Sequence, residues 1–156
     1  MIRIVHPVAA ATGLLCIATF WTSTVVVELI GTPAAVLAVK TAILWGLLVL
    51  VPSLAVAGAT GLRLGQGSSF APIARKRRRM PFIALNGLLV LVPCAVFLHA
   101  RAASGDFGEG FALAQGVELV AGAVNMTLMG LSMRDGFVLT GRFSPDRPGA
   151  DARRSA

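Results

Sequence analysis

The chain has 156 residues, 56% of them hydrophobic and 13% charged, at a mean hydropathy of +0.79. Soluble domains carry roughly 25% charged residues, so this composition excludes an ordinary soluble fold. Two cysteines and two histidines exclude a disulfide-stapled scaffold and the four-histidine pattern of a two-haem membrane cytochrome.

Four apolar stretches follow one another along the chain, at about residues 7–30, 35–59, 81–102 and 110–133. Each is long enough to cross a hydrocarbon core of about 30 Å at 1.5 Å per helical residue. The first is too long for the apolar region of a cleaved signal peptide and ends in no small-residue cleavage site, so it reads as a span. Cys16 follows Leu15 rather than a small residue, which argues against a lipoprotein cysteine. Gly31-Thr32-Pro33 then makes a tight hairpin, with Thr32 as helix cap and Pro33 at the first helical position.

The second span ends near Gly58 and Gly61, and residues 60–80 form a basic loop. Within it, residues 64–72 are linker-like in composition. Arg75-Lys76-Arg77-Arg78-Arg79 follows, and Met80-Pro81 opens the third span. Ser104-Gly105-Asp106 and Gly108-Glu109-Gly110 lead into the fourth. After Gly136 the chain turns polar, and 137–156 reads as a disordered tail. The expected domain organisation is thus a membrane domain over 1–136, a basic loop and a tail.

The charge distribution sets orientation. Of 14 Lys and Arg, six lie between spans two and three, five lie after span four, and Arg3 precedes span one; only Lys40 and Arg101 fall toward the other side. The positive-inside rule then makes both termini and the basic loop cytoplasmic. The fold class is all-α: an integral-membrane four-helix bundle, N-in and C-in. Its expected partner is the lipid bilayer, with anionic lipid attracted to Arg75–Arg79 at roughly 1 kcal/mol per residue. Nucleic acid is not expected, because no aromatic residues interleave the basic run.

One heptapeptide occurs twice. Gly46-Leu47-Leu48-Val49-Leu50-Val51-Pro52 recurs as Gly87-Leu88-Leu89-Val90-Leu91-Val92-Pro93. An inverted repeat of the transporter kind would produce such a match, but so would an apolar alphabet, which is the simpler reading. Either way, bends are expected near Pro52 and Pro93, where a backbone hydrogen bond is lost.

Polar side chains within spans are costly and face the bundle interior with partners. Glu28, Lys40, His99, Gln115 and Glu118 all fall in the outer half and form the candidate binding cluster. Lys40 stands about 10 Å below the start of its helix and Glu118 about 12 Å below its own, so an ion pair between them is expected, with Glu28 in reach of the lysine stem. Gln115, Glu118, Gly122, Asn125, Met129 and Ser132 share one stripe of span four at a period of 3.5. Its Gly122 permits close approach of another helix. Asn125 is expected to bond Asn86 as inner-half packing. No catalytic set is visible.

Metal and cofactor readings are weak. His6 and His99 stand at opposite ends, roughly 25 Å apart, so they do not share a haem within one chain. His6 with Met129 or Met133 is the remaining weak haem or copper candidate, since methionine at this spacing more often packs. Cys16 and Cys94 sit on different spans at depths about 6 Å apart and read as buried thiols. No cofactor is expected, with haem b a low-ranked alternative.

Arg79-Met80-Pro81-Phe82-Ile83-Ala84-Leu85-Asn86-Gly87, Met133-Arg134-Asp135-Gly136 and the Phe20-Trp21 and Val39-Lys40 neighbourhoods resemble stretches in a group of small bacterial four-span membrane proteins. The resemblance covers most of the chain short of the tail. It implies a bacterial inner membrane and four spans, and it transfers no catalytic residue. The functional expectation is a non-enzymatic accessory or structural subunit of the bacterial inner membrane, as a homo-oligomer or within a larger complex. The alternatives are a carrier or proton-coupled binding protein using the outer cluster, and a haem or quinone redox module.

Overall fold

The computed structural model describes residues 2–64 and 71–139. Among them every regular element is a helix: α1 (Ile2–Ile30), α2 (Pro33–Leu64), α3 (Ala71–Asn86), α4 (Val92–Ala103) and α5 (Glu109–Leu139). A wide π-helical turn, Gly87–Leu91, joins α3 to α4, and these pieces together form one span. Four helical segments, Ile4–Ile30, Pro33–Gly61, Arg79–Ala103 and Glu109–Asp135, are long and apolar enough to cross a membrane. Large apolar side chains such as Leu15, Trp45, Leu48, Leu113 and Val120 point outward. That inverts the pattern of a soluble bundle and suits a hydrocarbon solvent.

The helices form a square. α1 packs on α2 and α5, and the third span packs on α2 and α5. Among the described residues, α1 therefore stands diagonal to the third span, and α2 diagonal to α5. Two short connections lie at one end, here the loop end; Ile2 and Leu139 lie at the other, the terminal end.

Both loop-end connections follow from local chemistry. Thr32 caps α2, its Oγ1 accepting from the Ala35 amide at 3.3 Å, which satisfies one of the orphan donors of the first turn. Gly105 adopts φ +71°. Its amide donates to Ala102 O at 3.1 Å, and the Asp106 amide donates to Arg101 O at 2.9 Å. This is the double closure that ends a helix on a left-handed residue, where glycine is favoured.

The helices outrun the apolar stretches at the terminal end. α3 begins at Ala71, not at Met80-Pro81, because Arg and Lys are good helix formers and carry the helix through the basic run. Pro81 consequently lies inside α3. α2 reaches Leu64 and α5 reaches Leu139. The linker expected at 64–72 is helical at Leu64 and from Ala71; residues 65–70 lie outside the described residues. So do residues 140–156, the bulk of the expected tail, and the side chains of Arg75–Arg78.

The repeated heptapeptide takes two conformations. Gly46–Pro52 is α-helical within an unbroken α2. Gly87–Leu91 is π-helical, with the Val92 amide donating to Gly87 O. Pro93 offers no N–H to Leu89 O and its ring crowds that carbonyl, so a wide turn just before it relieves the clash. Pro52 has the same local sequence and no wide turn. The difference lies in the surroundings: Asn86, at the start of the turn, is bonded to α5.

Two cores hold the square. Toward the terminal end Ile17, Leu50, Ile83 and Met129 pack together, and toward the loop end Val36, Leu98, Ala102 and Phe111 do so. α1 and α2 approach closely where the Phe20 ring lies on Gly46, at a place where a Cβ would collide with the ring. Gly46→Val is expected to lower stability by about 1–3 kcal/mol, the usual cost of overpacking. Unfolding by SDS in mixed micelles would show it, and an unchanged midpoint would remove Gly46 as the contact that sets the α1–α2 distance.

Candidate functional site

The polar residues on spans converge on α5. Lys40 Nζ donates to Glu118 Oε2 at 2.6 Å; the lysine side chain is 0% exposed and the glutamate 12%. Gln115 Nε2 donates to the same oxygen at 3.1 Å. Because α2 and α5 are diagonal, the lysine stem crosses the bundle axis to reach its partner. This is the pair expected from helix depth. Its physical cause is desolvation: each charge taken from water costs several kcal/mol, and an uncompensated lysine here would be untenable.

The cluster has one unmatched atom. Gln115 is buried, and its Oε1 has no hydrogen-bond partner among the described residues. Glu118 also lines a small cavity of about 50 Å³ with Trp21, Thr24 and Leu50. That is room for a few water-sized molecules, since one needs roughly 10–15 Å³.

The other members of the expected cluster lie differently. Glu28 is exposed on α1, within electrostatic range of both Lys40 and Glu118. His99 is half-buried on α4 and takes no part in these bonds. Cys94 belongs to the neighbourhood instead, within electrostatic range of Glu118 and Lys40. The sequence placed Cys94 only as a mid-span thiol; its proximity depends on how α4 rotates after the wide turn, which periodicity does not reveal.

Further contacts run down α5. The Trp21 indole donates to Leu119 O at 2.9 Å, and its ring sits against Gly122, where a Cβ would come within 3.0 Å. Asn86 Nδ2 donates to Asn125 Oδ1 and to Ala121 O, both at 2.9 Å. Asn125 is fully buried and donates to Ile83 O at 3.4 Å. At the terminal end Arg79 pairs with Asp135 at 2.9 Å. Sequence reading anticipated the Asn pair and missed the other two. Arg79 is one of five consecutive basic residues, which hides its individual partner, and a backbone acceptor such as Leu119 O carries no letter of its own.

The inward stripe of α5 is observed. Gln115, Gly122, Asn125, Met129 and Ser132 are buried, and Glu118 is partly so. α5 thus receives a polar contact from each of α1, α2 and α3, at Leu119, at Glu118, and at Ala121 with Asn125, respectively.

The weak metal candidates are brought together, at the terminal end. His6 Nδ1 lies 3.0 Å from Ala57 O and 3.0 Å from Thr60 Oγ1, and His6, Met129 and Met133 line one cavity. His99 is remote from it, on the helix that packs with Val36 near the start of α2. Among the described residues no three of His, Cys, Asp and Glu converge on one point.

The fold and its polar interior define an all-α four-helix bundle of multi-pass membrane type. Comparison with known proteins gave no matching family model, no matching curated protein and no matching solved structure.

Breaking the buried pair on one side should cost about 3–5 kcal/mol, because the other charge is left without a partner. Glu118→Leu and Lys40→Met are each expected to unfold at much lower SDS fraction, and the double variant is expected to recover most of the loss. A double variant no better than either single one would show that the ion pair itself, not charge balance, holds the bundle.

Proposed function

We propose that this chain is a multi-pass protein of the bacterial inner membrane that serves as a non-enzymatic subunit or accessory protein. The observation that carries the reading is the inward pairing of its chemistry. Lys40, Glu118, Asn86, Asn125, Arg79 and Asp135 spend their hydrogen bonds on one another and on backbone. Such an arrangement fixes helix register and rotation. Four helices enclose little interior, and the outward faces carry many large apolar side chains, so either lipid or other spans can cover them.

The excess of Lys and Arg at the terminal end supports N-in, C-in topology. An alkaline phosphatase fusion at Gly105 should be active and one after Leu139 inactive; the reverse would overturn the topology. For the subunit reading, gentle solubilisation followed by light scattering should give a mass above one chain. A monodisperse monomer with nothing bound would count against it.

A second reading has its own support. The unpartnered Gln115 Oε1 and the cavity beside Glu118 fit a carrier or proton-coupled site reached from the loop end. Under that reading Glu118→Gln abolishes uptake or proton movement in vesicles while helical content stays unchanged. If the same variant simply unfolds, the cluster is structural.

A further inference from the structure

The terminal half of the bundle contains a cavity of about 480 Å³. Small residues make the room: Ala10 on α1, Ala57 and Gly58 on α2, and Ala84 on α3 all lie on its wall. A Cβ added to Gly58 would meet nothing within 4 Å. The two polar side chains on the wall are turned to protein. Ser132 Oγ donates to Leu128 O at 2.8 Å, and His6 Nδ1 lies 3.0 Å from Ala57 O. An entrant therefore meets almost only hydrocarbon and thioether. Such a space stays dry and takes apolar guests.

The cavity opens sideways. α2 packs on α4 through the loop half of the bundle, whereas its contact with α3 in the terminal half is slight. Pro81 and Ala84 of the wall are exposed on α3, and Gly58 on α2 is half-buried. The gap between α2 and α3 thus faces the surrounding lipid. Its size fits one chain. An apolar cavity of about 150 Å³ holds a benzene, so three such volumes match the bulk of about 16 carbon atoms, one acyl tail and not two.

Charge names the headgroup. Arg63 is exposed on α2, about 8 Å beyond Gly58 at 1.5 Å per residue. Arg134 is exposed next to Met133 of the wall, and Arg79 precedes Met80 of the wall. In the sequence Arg75-Lys76-Arg77-Arg78 lead into Arg79. Among the described residues Asp135 is the only carboxylate at this end, and Arg79 already pairs with it. A tail in the gap brings its phosphate to this basic rim, because arginine stems rise to the level of the headgroups and attract anionic ones.

We propose that the gap between α2 and α3 is a binding site for one anionic phospholipid of the leaflet at the terminal end. One acyl chain fills the cavity, and the phosphate lies in the basic rim that includes Arg63 and Arg134. Diffuse attraction to the basic run needs no such place, whereas this site holds one lipid at a fixed depth. It is independent of the Lys40–Glu118 cluster and of the subunit reading.

The test uses the full chain in mild detergent, stripped of lipid and titrated with phosphatidylglycerol or phosphatidylcholine of the same chains, read by native mass spectrometry. One phosphatidylglycerol per chain should be retained, at least tenfold in preference to phosphatidylcholine. Gly58→Leu with Ala84→Leu fills the gap and should abolish that retention at unchanged helical content. Arg63→Gln with Arg134→Gln should lower the preference about fivefold with the cavity intact. A phosphatidylglycerol with a photoreactive group near the end of one acyl chain, in vesicles with the unaltered protein, should label residues 57–58 and 80–84. That arm needs no variant to fold. Equal retention of the two lipids, a filled variant that still holds phosphatidylglycerol, or label confined to outward side chains such as Trp45 and Leu113 would each overturn the proposal. So would a dimer in lipid-free detergent that filling the gap breaks, since a second copy would then be the occupant.

Discussion

A lysine ammonium with no exposed surface, on the axis of an apolar bundle, is the constraint on which the rest depends. Left alone it would either deprotonate or drag its helix toward the polar interface. Glu118 stands across the diagonal at 2.6 Å, and Gln115 steadies the same carboxylate oxygen. The pair can form only if α2 and α5 have the right relative depth and both rotate inward. Lys40 thereby fixes the vertical register of two helices that otherwise do not pack against each other.

α5 is the member that converts this register into a fold. Its stripe of Gln115, Glu118, Gly122, Asn125, Met129 and Ser132 offers a different kind of contact at each turn: a charge pair, a bare backbone for the Trp21 indole, an amide pair with Asn86, then thioether and hydroxyl. In hydrocarbon the apolar faces carry little preference for one partner over another, because lipid tails solvate them equally well. Polar contacts and close approaches at small residues must supply the specificity, and α5 gathers most of them.

The two ends of the bundle are built to different standards. At the loop end Val36, Leu98, Ala102 and Phe111 are tightly buried, and both connections are short and capped. At the terminal end Arg79–Asp135 ties α3 to α5, yet a large cavity remains between the helices. The wide turn at Gly87–Leu91 separates the two regimes within the third span, so α4 can rotate into the tight end while α3 follows the looser one. A fold that needed only to persist in the membrane would gain stability by closing that space.

Four spans, the Thr32 cap, the loop around Gly105, the inward stripe of α5 and both pairs, Lys40–Glu118 and Asn86–Asn125, follow from the sequence by itself. They rest on period, rise per residue and the cost of polar groups in hydrocarbon, which act locally or through depth alone. Tertiary structure decided what depth cannot express. It placed α2 diagonal to α5, gave the π-turn to one copy of an identical heptapeptide and not to the other, and brought Cys94 rather than His99 to the ion pair. It also turned His6 and three methionines toward one space. Each of these depends on helix rotation about its own axis, which is set by partners on other helices and leaves no periodic trace in the chain that bears it.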